Sequence, residues 1–138
     1  METVPYDKRS GKIWFNGELV NWTNAKIHVL NHGLHYASCV FEGERVYDGE
    51  IFKLEEHTDR LFYSAKRMGI VIPYGPKEIN TASKEIVTAQ KVKDGYVRPI
   101  IWRGSEMMAI SAQKNKIHVV IASWEWGSYF DPNLKLKG

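Results

Sequence analysis

Two arginines in this chain stand in register with aromatic side chains, and that spacing defines the chemistry available to it. Phe41, Gly43, Arg45 and Tyr47 fall two residues apart, as do Tyr96, Arg98, Ile100 and Trp102. In extended backbone successive side chains point to opposite faces, so each set shares one face of a strand. An arginine fork grips a carboxylate through two parallel hydrogen bonds, and a tyrosine hydroxyl can complete the shell. Gly43 leaves room between Phe41 and Arg45. This pattern points to recognition of a small molecule bearing a carboxylate. The plain alternative is that either arginine pairs with a surface acid, as exposed arginines on sheets commonly do.

Other reactive side chains form weaker patterns. Arg60 lies about a third of a turn off the apolar stripe of its segment, which suits a solvated arginine or an anion site. His28, His32 and His35 are four and three apart, but they straddle a strand-like and a loop-like stretch with no acidic partner at ligand spacing, so no metal site is expected. A structural role suits His35 better. Cys39, the single cysteine, reads as a small buried hydrophobe, although strict alternation sets it on the face of Phe41 and Arg45. No Ser-His-Asp set or glycine-rich phosphate loop is present. Trp102, Trp124, Trp126, Tyr129 and Phe130 crowd the C-terminal part. Trp126 to Tyr129 either wall a pocket or pack a core or an interface.

The elements that must hold these residues follow from local signals. Ile13–Val20 predicts a hairpin with Asn16–Gly17 at its turn. Alternation over Ala25–Leu30 predicts a short strand, Asn31–Ala37 a loop, and Ser38–Tyr47 a strand that turns at Asp48–Gly49 into a return strand over Glu50–Lys53. Leu54–Met68 switches to helical period, with Leu54, Leu61, Phe62, Ala65 and Met68 inward and Gly69 as the stop. Pro76 opens a second helix, with Ile79, Ala82, Ile86 and Ala89 or Val92 inward. Strands are expected over Gly95–Trp102 and Ile117–Ser123, joined by a long loop holding Met107, Met108 and Ala109; long ordered loops are often functional. Hairpin-linked strands with segregated helices make an α+β two-layer sandwich, a mainly antiparallel sheet covered by two helices.

Bulk properties bound the rest. A chain of 138 residues, 43% hydrophobic and 25% charged, is one globular domain with a real core. A net charge of +3, with only Lys135–Lys137 clustered, gives no case for nucleic acid. No apolar run reaches the ~20 residues of a membrane span, and the polar N-terminus lacks a signal-peptide core. With a lone cysteine, these point to the cytoplasm.

Six short motifs, taken in order, resemble the N-terminal small domain of the branched-chain amino acid aminotransferases, in the class IV (fold type IV) pyridoxal-phosphate family. They are Ile13–Trp14–Phe15–Asn16–Gly17–Glu18, His32–Gly33–Leu34–His35–Tyr36, Val40–Phe41–Glu42–Gly43–Glu44–Arg45, Glu56–His57–Thr58–Asp59–Arg60–Leu61, Tyr96–Val97–Arg98–Pro99 and Trp126–Gly127–Ser128–Tyr129. The resemblance implies that Arg60 holds the phosphate of pyridoxal 5'-phosphate. It also implies that Tyr36, Phe41, Gly43, Arg45, Tyr96, Arg98, Trp126 and Tyr129 line a substrate pocket. Met107, Met108 and Ala109 resemble a segment that reaches the site of a neighbouring subunit, so a homo-oligomer is implied. Substrates would be leucine, isoleucine or valine with glutamate and 2-oxoglutarate. D-amino acid transaminases and aminodeoxychorismate lyases share the His-x-x-Arg-Leu element, whereas Phe-Glu-Gly-x-Arg and Tyr-x-Arg-Pro lean toward branched-chain substrates. A stand-alone carboxylate-binding module is the reading from a different class. Residues 1–12 read as an extension, 13–130 as the domain and 131–138 as the start of an interdomain linker. The catalytic lysine is expected in a second domain beyond Gly138, so no catalytic residue is assigned here. The chain alone is expected to be inactive, to bind cofactor weakly or not at all, and to expose an apolar patch.

Overall fold

The structure is a computed structural model and describes residues 4–127. The predicted N-terminal hairpin forms as β1 (Lys12–Phe15) and β2 (Glu18–Asn21). Asn16 and Gly17 carry φ of 49° and 92°, the left-handed pair that a two-residue turn matching strand twist requires. Residues 25–30 form no strand, although they alternate. The chain leaves β2 through a single 3-10 turn, Trp22–Asn24, and Ile27, Val29 and Leu30 are exposed. Residues 31–37, expected as a loop, contain α1 (His32–Tyr36).

The strand expected over Ser38–Tyr47 is broken in two. β3 (Cys39–Phe41) and β4 (Glu44–Tyr47) flank a kink at Glu42–Gly43, and the turn at Asp48–Gly49 leads into β5 (Glu50–Ile51). Then come α2 (Leu54–Arg67), α3 (Pro76–Ala89), β6 (Gly95–Arg103) and β7 (Ile117–Glu125). Gly69, at φ 68°, ends α2 as expected. The Gly75 N–H donates to the Glu78 carboxylate at 3.1 Å and steadies the start of α3.

The sheet has seven strands, in the order β2-β1-β7-β6-β4-β5, with β3 also paired to β6. Every pairing is antiparallel. The helices α2 and α3 cover one face. Their buried stripes, Leu54, Thr58, Leu61 and Ala65 on α2 and Ile79, Ala82, Ser83, Ile86 and Val87 on α3, meet Val46, Val97, Ile101, Val119 and Ile121 from the strands. Met68, expected inward from periodicity, is exposed; of Ala89 and Val92, Val92 takes the inward place. The α+β two-layer architecture is as expected.

Neither α2 nor α3 covers the opposite face of the sheet, where α1 packs against Trp102 at one end of β6. Tyr96, Arg98, Ile100 and Trp102 of β6 alternate away from buried Val97 and Ile101, beside Trp124, Ala122, Val120 and His118 of β7. The N-terminal segment packs at one end of this face, with the Tyr6 ring edge-on to Trp124 at 5.3 Å. No helix among the described residues is long and apolar enough to cross a membrane.

Candidate functional site

The site begins with strand register. Arg45 lies directly across from Tyr96, and Phe41 across from Ile100. The period-two faces therefore converge as the sequence suggests: Phe41, Gly43 and Arg45 meet Tyr96 and Arg98 on the face away from the helices. The Arg98 guanidinium stacks over the Phe41 ring at 4.3 Å, and its Nη2 donates to the Tyr96 hydroxyl at 2.9 Å. The Arg98 Nε is buried and has no hydrogen-bond partner among the described residues. A buried charged donor left unpaired costs free energy that a bound carboxylate would remove. Arg45 donates from Nη1 to the Trp126 carbonyl at 3.0 Å, and the Trp126 ring stands edge-on to Tyr96 at 4.9 Å. Tyr129, expected in the same wall, lies outside the described residues.

A second group of expected site residues gathers elsewhere. The Tyr36 hydroxyl donates to the Met108 carbonyl at 2.9 Å, and His32 Nε2 contacts the Ala109 carbonyl at 3.0 Å. Asn115 Nδ2 donates to the Met107 carbonyl at 3.0 Å. This group sits at the Trp102 end of β6, where the His32 N–H donates to the Gly104 carbonyl at 3.0 Å. Arg98 and Trp102 are four residues apart along that strand, on the order of 13 Å at strand rise, so the two groups sit at different points along β6.

Arg60 is in a third place. It leaves α2 toward the kink, where its Nε and Nη2 both donate to Glu42, at 2.8 and 2.7 Å. His57, one turn earlier on α2, donates from Nδ1 to the same carboxylate at 2.7 Å. The Arg60 side chain is 66% exposed while that of Glu42 is 5% exposed. Burial opposes the charge on Glu42, but the Arg60 and His57 hydrogen bonds outweigh it and hold the carboxyl below its ordinary range. Glu44, on the same side of the strand, is 1% exposed. Burial, and then the Glu42 charge, push its carboxyl up to about 8.

Neither acid is among the residues expected at the site, because the arginines define the opposite face of the strand. The signal was present in the same alternation, which sets Glu42 and Glu44 among Val40 and Val46 on the inward face. Cys39 is half-buried and lines an apolar groove of about 370 Å³ with Phe15, Leu34, Ile100, Trp102 and Val120. Burial raises its thiol pKa, which suits a packing role. No cluster of three or more metal-ligating side chains occurs among the described residues.

The phosphate-binding role implied for Arg60 is compatible with this geometry. The side-on fork to Glu42 uses Nε and Nη2, and Nη1 on the far edge of an exposed guanidinium stays available to an anion.

A sheet with one open face, arginines set among aromatics on that face, and a helix that presents a third arginine define a domain of the amino-transferase class IV family. Residues 39–137 match that family's model, and the chain belongs to it. It is 49% identical over 125 residues to the branched-chain-amino-acid aminotransferase of Pseudomonas aeruginosa, a match covering 88% of this chain and 41% of that protein. The crystal structure of the Escherichia coli branched-chain amino acid aminotransferase superposes with a TM-score of 0.84 at 35% identity, over 91% of this chain and 43% of the other. A T.th. branched-chain amino acid aminotransferase with pyridoxamine 5'-phosphate does so with a TM-score of 0.84 at 38% identity, over 91% of this chain and 43% of that one. The chain thus spans about two fifths of the length of these relatives.

Proposed function

We propose that this chain is the substrate-recognition domain of a branched-chain amino acid aminotransferase, which moves the amino group between leucine, isoleucine or valine and 2-oxoglutarate. The observation that carries this reading is the buried, unpartnered Nε of Arg98 beside Phe41 and Tyr96. A carboxylate seated there completes the donors of Arg98, and the Phe41 and Tyr96 rings turn an apolar wall toward a branched side chain. Arg45, across from Tyr96, offers a second cation for the distal carboxylate of glutamate.

Pyridoxal phosphate, when bound, supplies the electron sink for the amino transfer. The residues here do other work: Arg60 takes the phosphate, Arg98 and Arg45 orient carboxylates, and Phe41, Tyr96 and Trp126 exclude water. The names of the relatives support the substrate class. Tyr36 and Met107–Ala109, at the Trp102 end of β6 rather than beside Arg98, are assigned to the site of a neighbouring copy, which makes the working protein a homo-oligomer. Its place of action is the cytoplasm.

The test is amino transfer by the complete subunit, with leucine, isoleucine, valine and D-alanine as competing donors to 2-oxoglutarate. Branched-chain L-amino acids should dominate, and Arg98→Leu should raise KM for every carboxylate substrate at least about tenfold. Preference for D-alanine, or an unchanged KM in the variant, overturns the reading.

A further inference from the structure

We infer that Glu42 is a positioning residue for Arg60, holding the guanidinium edge-on so that Nη1 is presented to a phosphate. The inference rests on the reading of Arg60 as the phosphate holder and adds the residue through which that arginine is aimed. An arginine that is 66% exposed ordinarily samples many rotamers, and ordering it on a ligand costs affinity. Here the far end is already anchored, by two charge-assisted bonds of 2.8 and 2.7 Å to one carboxylate.

That carboxylate is itself fixed. The Glu42 N–H donates to the Pro99 carbonyl of β6 at 3.1 Å, its side chain is 5% exposed, and His57 Nδ1 holds Oε1 from one turn back on α2. The chain of support thus runs from the central strand through Glu42 to the tip of Arg60. Glu44, the neighbouring buried acid, is largely protonated at neutral pH, so it adds little further negative charge beside Glu42. A buried carboxylate facing an arginine that must attract an anion has the wrong sign for the task, and its geometry compensates for that sign.

The sign supplies the test. Simple charge addition says that neutralising Glu42 leaves Arg60 more positive and tightens phosphate binding, whereas positioning says that binding weakens. The experiment follows by NMR the Arg60 Nε–H resonance and the backbone amides of the first half of α2 in the complete subunit, titrated with inorganic phosphate, with pyridoxal 5'-phosphate and with pyridoxal, in the parent and in Glu42→Gln, Glu42→Asp and Arg60→Ala.

In the parent, Arg60 Nε–H is expected to be ordered and to shift with both phosphate compounds but not with pyridoxal, and the phosphate response should vanish in Arg60→Ala. Glu42→Gln should weaken phosphate binding about five- to tenfold and loosen the Nε–H. Glu42→Asp, which keeps the charge and shortens the reach, should weaken it as well and covers the case in which Glu42→Gln does not fold. Equal or tighter phosphate binding in a folded Glu42 variant overturns the positioning role while leaving Arg60 as the phosphate holder. A complete subunit whose Arg60 ignores phosphate overturns both readings.

Discussion

Gly43, at the kink between β3 and β4, touches Tyr96 of β6: a Cβ built on Gly43 would overlap the Tyr96 hydroxyl oxygen. That oxygen accepts the 2.9 Å hydrogen bond from Arg98 Nη2. The glycine at the kink therefore makes space for the pair that orients Arg98.

Gly43→Ala should accordingly push the Tyr96 ring aside and break its bond to Arg98. The expected cost is about 1–3 kcal/mol of stability, as for other overpacked sites, with the Tyr96 and Arg98 side-chain resonances shifted well beyond those of α3. Unchanged thermal unfolding together with unchanged Tyr96 signals would show that the strand has slack at this position.

Stability should fall as pH rises through the neutral range. The Glu44 carboxyl moves from 4.5 in its ordinary state to about 8 when folded, so between these values the folded chain holds a proton that the unfolded chain has released. The benefit is complete below about pH 4.5 and is lost as pH climbs through about 8. Glu44→Gln removes this dependence and should be more stable than the parent at about pH 9 by several kcal/mol. Urea unfolding at about pH 5, 7 and 9 measures it, and parallel pH profiles would count against it. Glu42, whose folded value is depressed, acts in the opposite sense and contributes stability that is lost on the acid side.

Ile101 has no exposure and lies in the main core cluster. Ile101→Ala should cost about 2–5 kcal/mol through lost burial and the cavity left behind. Equilibrium denaturation reads this directly. A cost under about 1 kcal/mol would mean that the helices collapse onto the gap.

The chain on its own is expected to show no amino transfer. The open face around Arg98 is built from Phe41, Gly43, Arg45, Tyr96, Ile100, Ala122 and Trp124, and no lysine stands among these residues. A family reaction that needs a lysine amine at the reacting carbon therefore has none supplied by this face. Assays of leucine with 2-oxoglutarate, run with added pyridoxal phosphate, should stay at background, and turnover that survives purification would refute the assignment.

Much of this architecture could be read from local pattern because local and tertiary demands agree. Asn16–Gly17 marks a turn that no partner has to enforce, and the alternation from Tyr96 to Trp102 reports a strand with two differently solvated faces. The readings failed where distant contacts decide. Residues 32–36 are helical with a glycine in their midst, because Gly33 packs against Trp102 and the Leu34 and His35 N–H groups return to the Asn31 carbonyl. Residues 25–30 alternate but find no strand to pair with. That Phe41 shares a strand face with Arg45, and Tyr96 with Arg98, was legible because a period of two fixes a face. The pairing that brings Phe41 to Arg98, and the place of Tyr36 and Met108 at the Trp102 end of β6, were not, since no local signal states which strands pair or how far along β6 each contact falls.

The pairing of β1 with β7 also sets a schedule for synthesis. Val119 N–H donates to the Asn16 side-chain oxygen across 103 positions of sequence, and Trp14 lies opposite Ile121. A nascent chain thus makes its first hairpin early and then must carry the unpaired edge of β1 while the helices and β6 emerge. At roughly 5–20 residues per second, the edge waits on the order of 5–20 s before its partner leaves the ribosome. For that interval the hairpin is a template for any passing strand, and it is there that a chaperone would have most to protect.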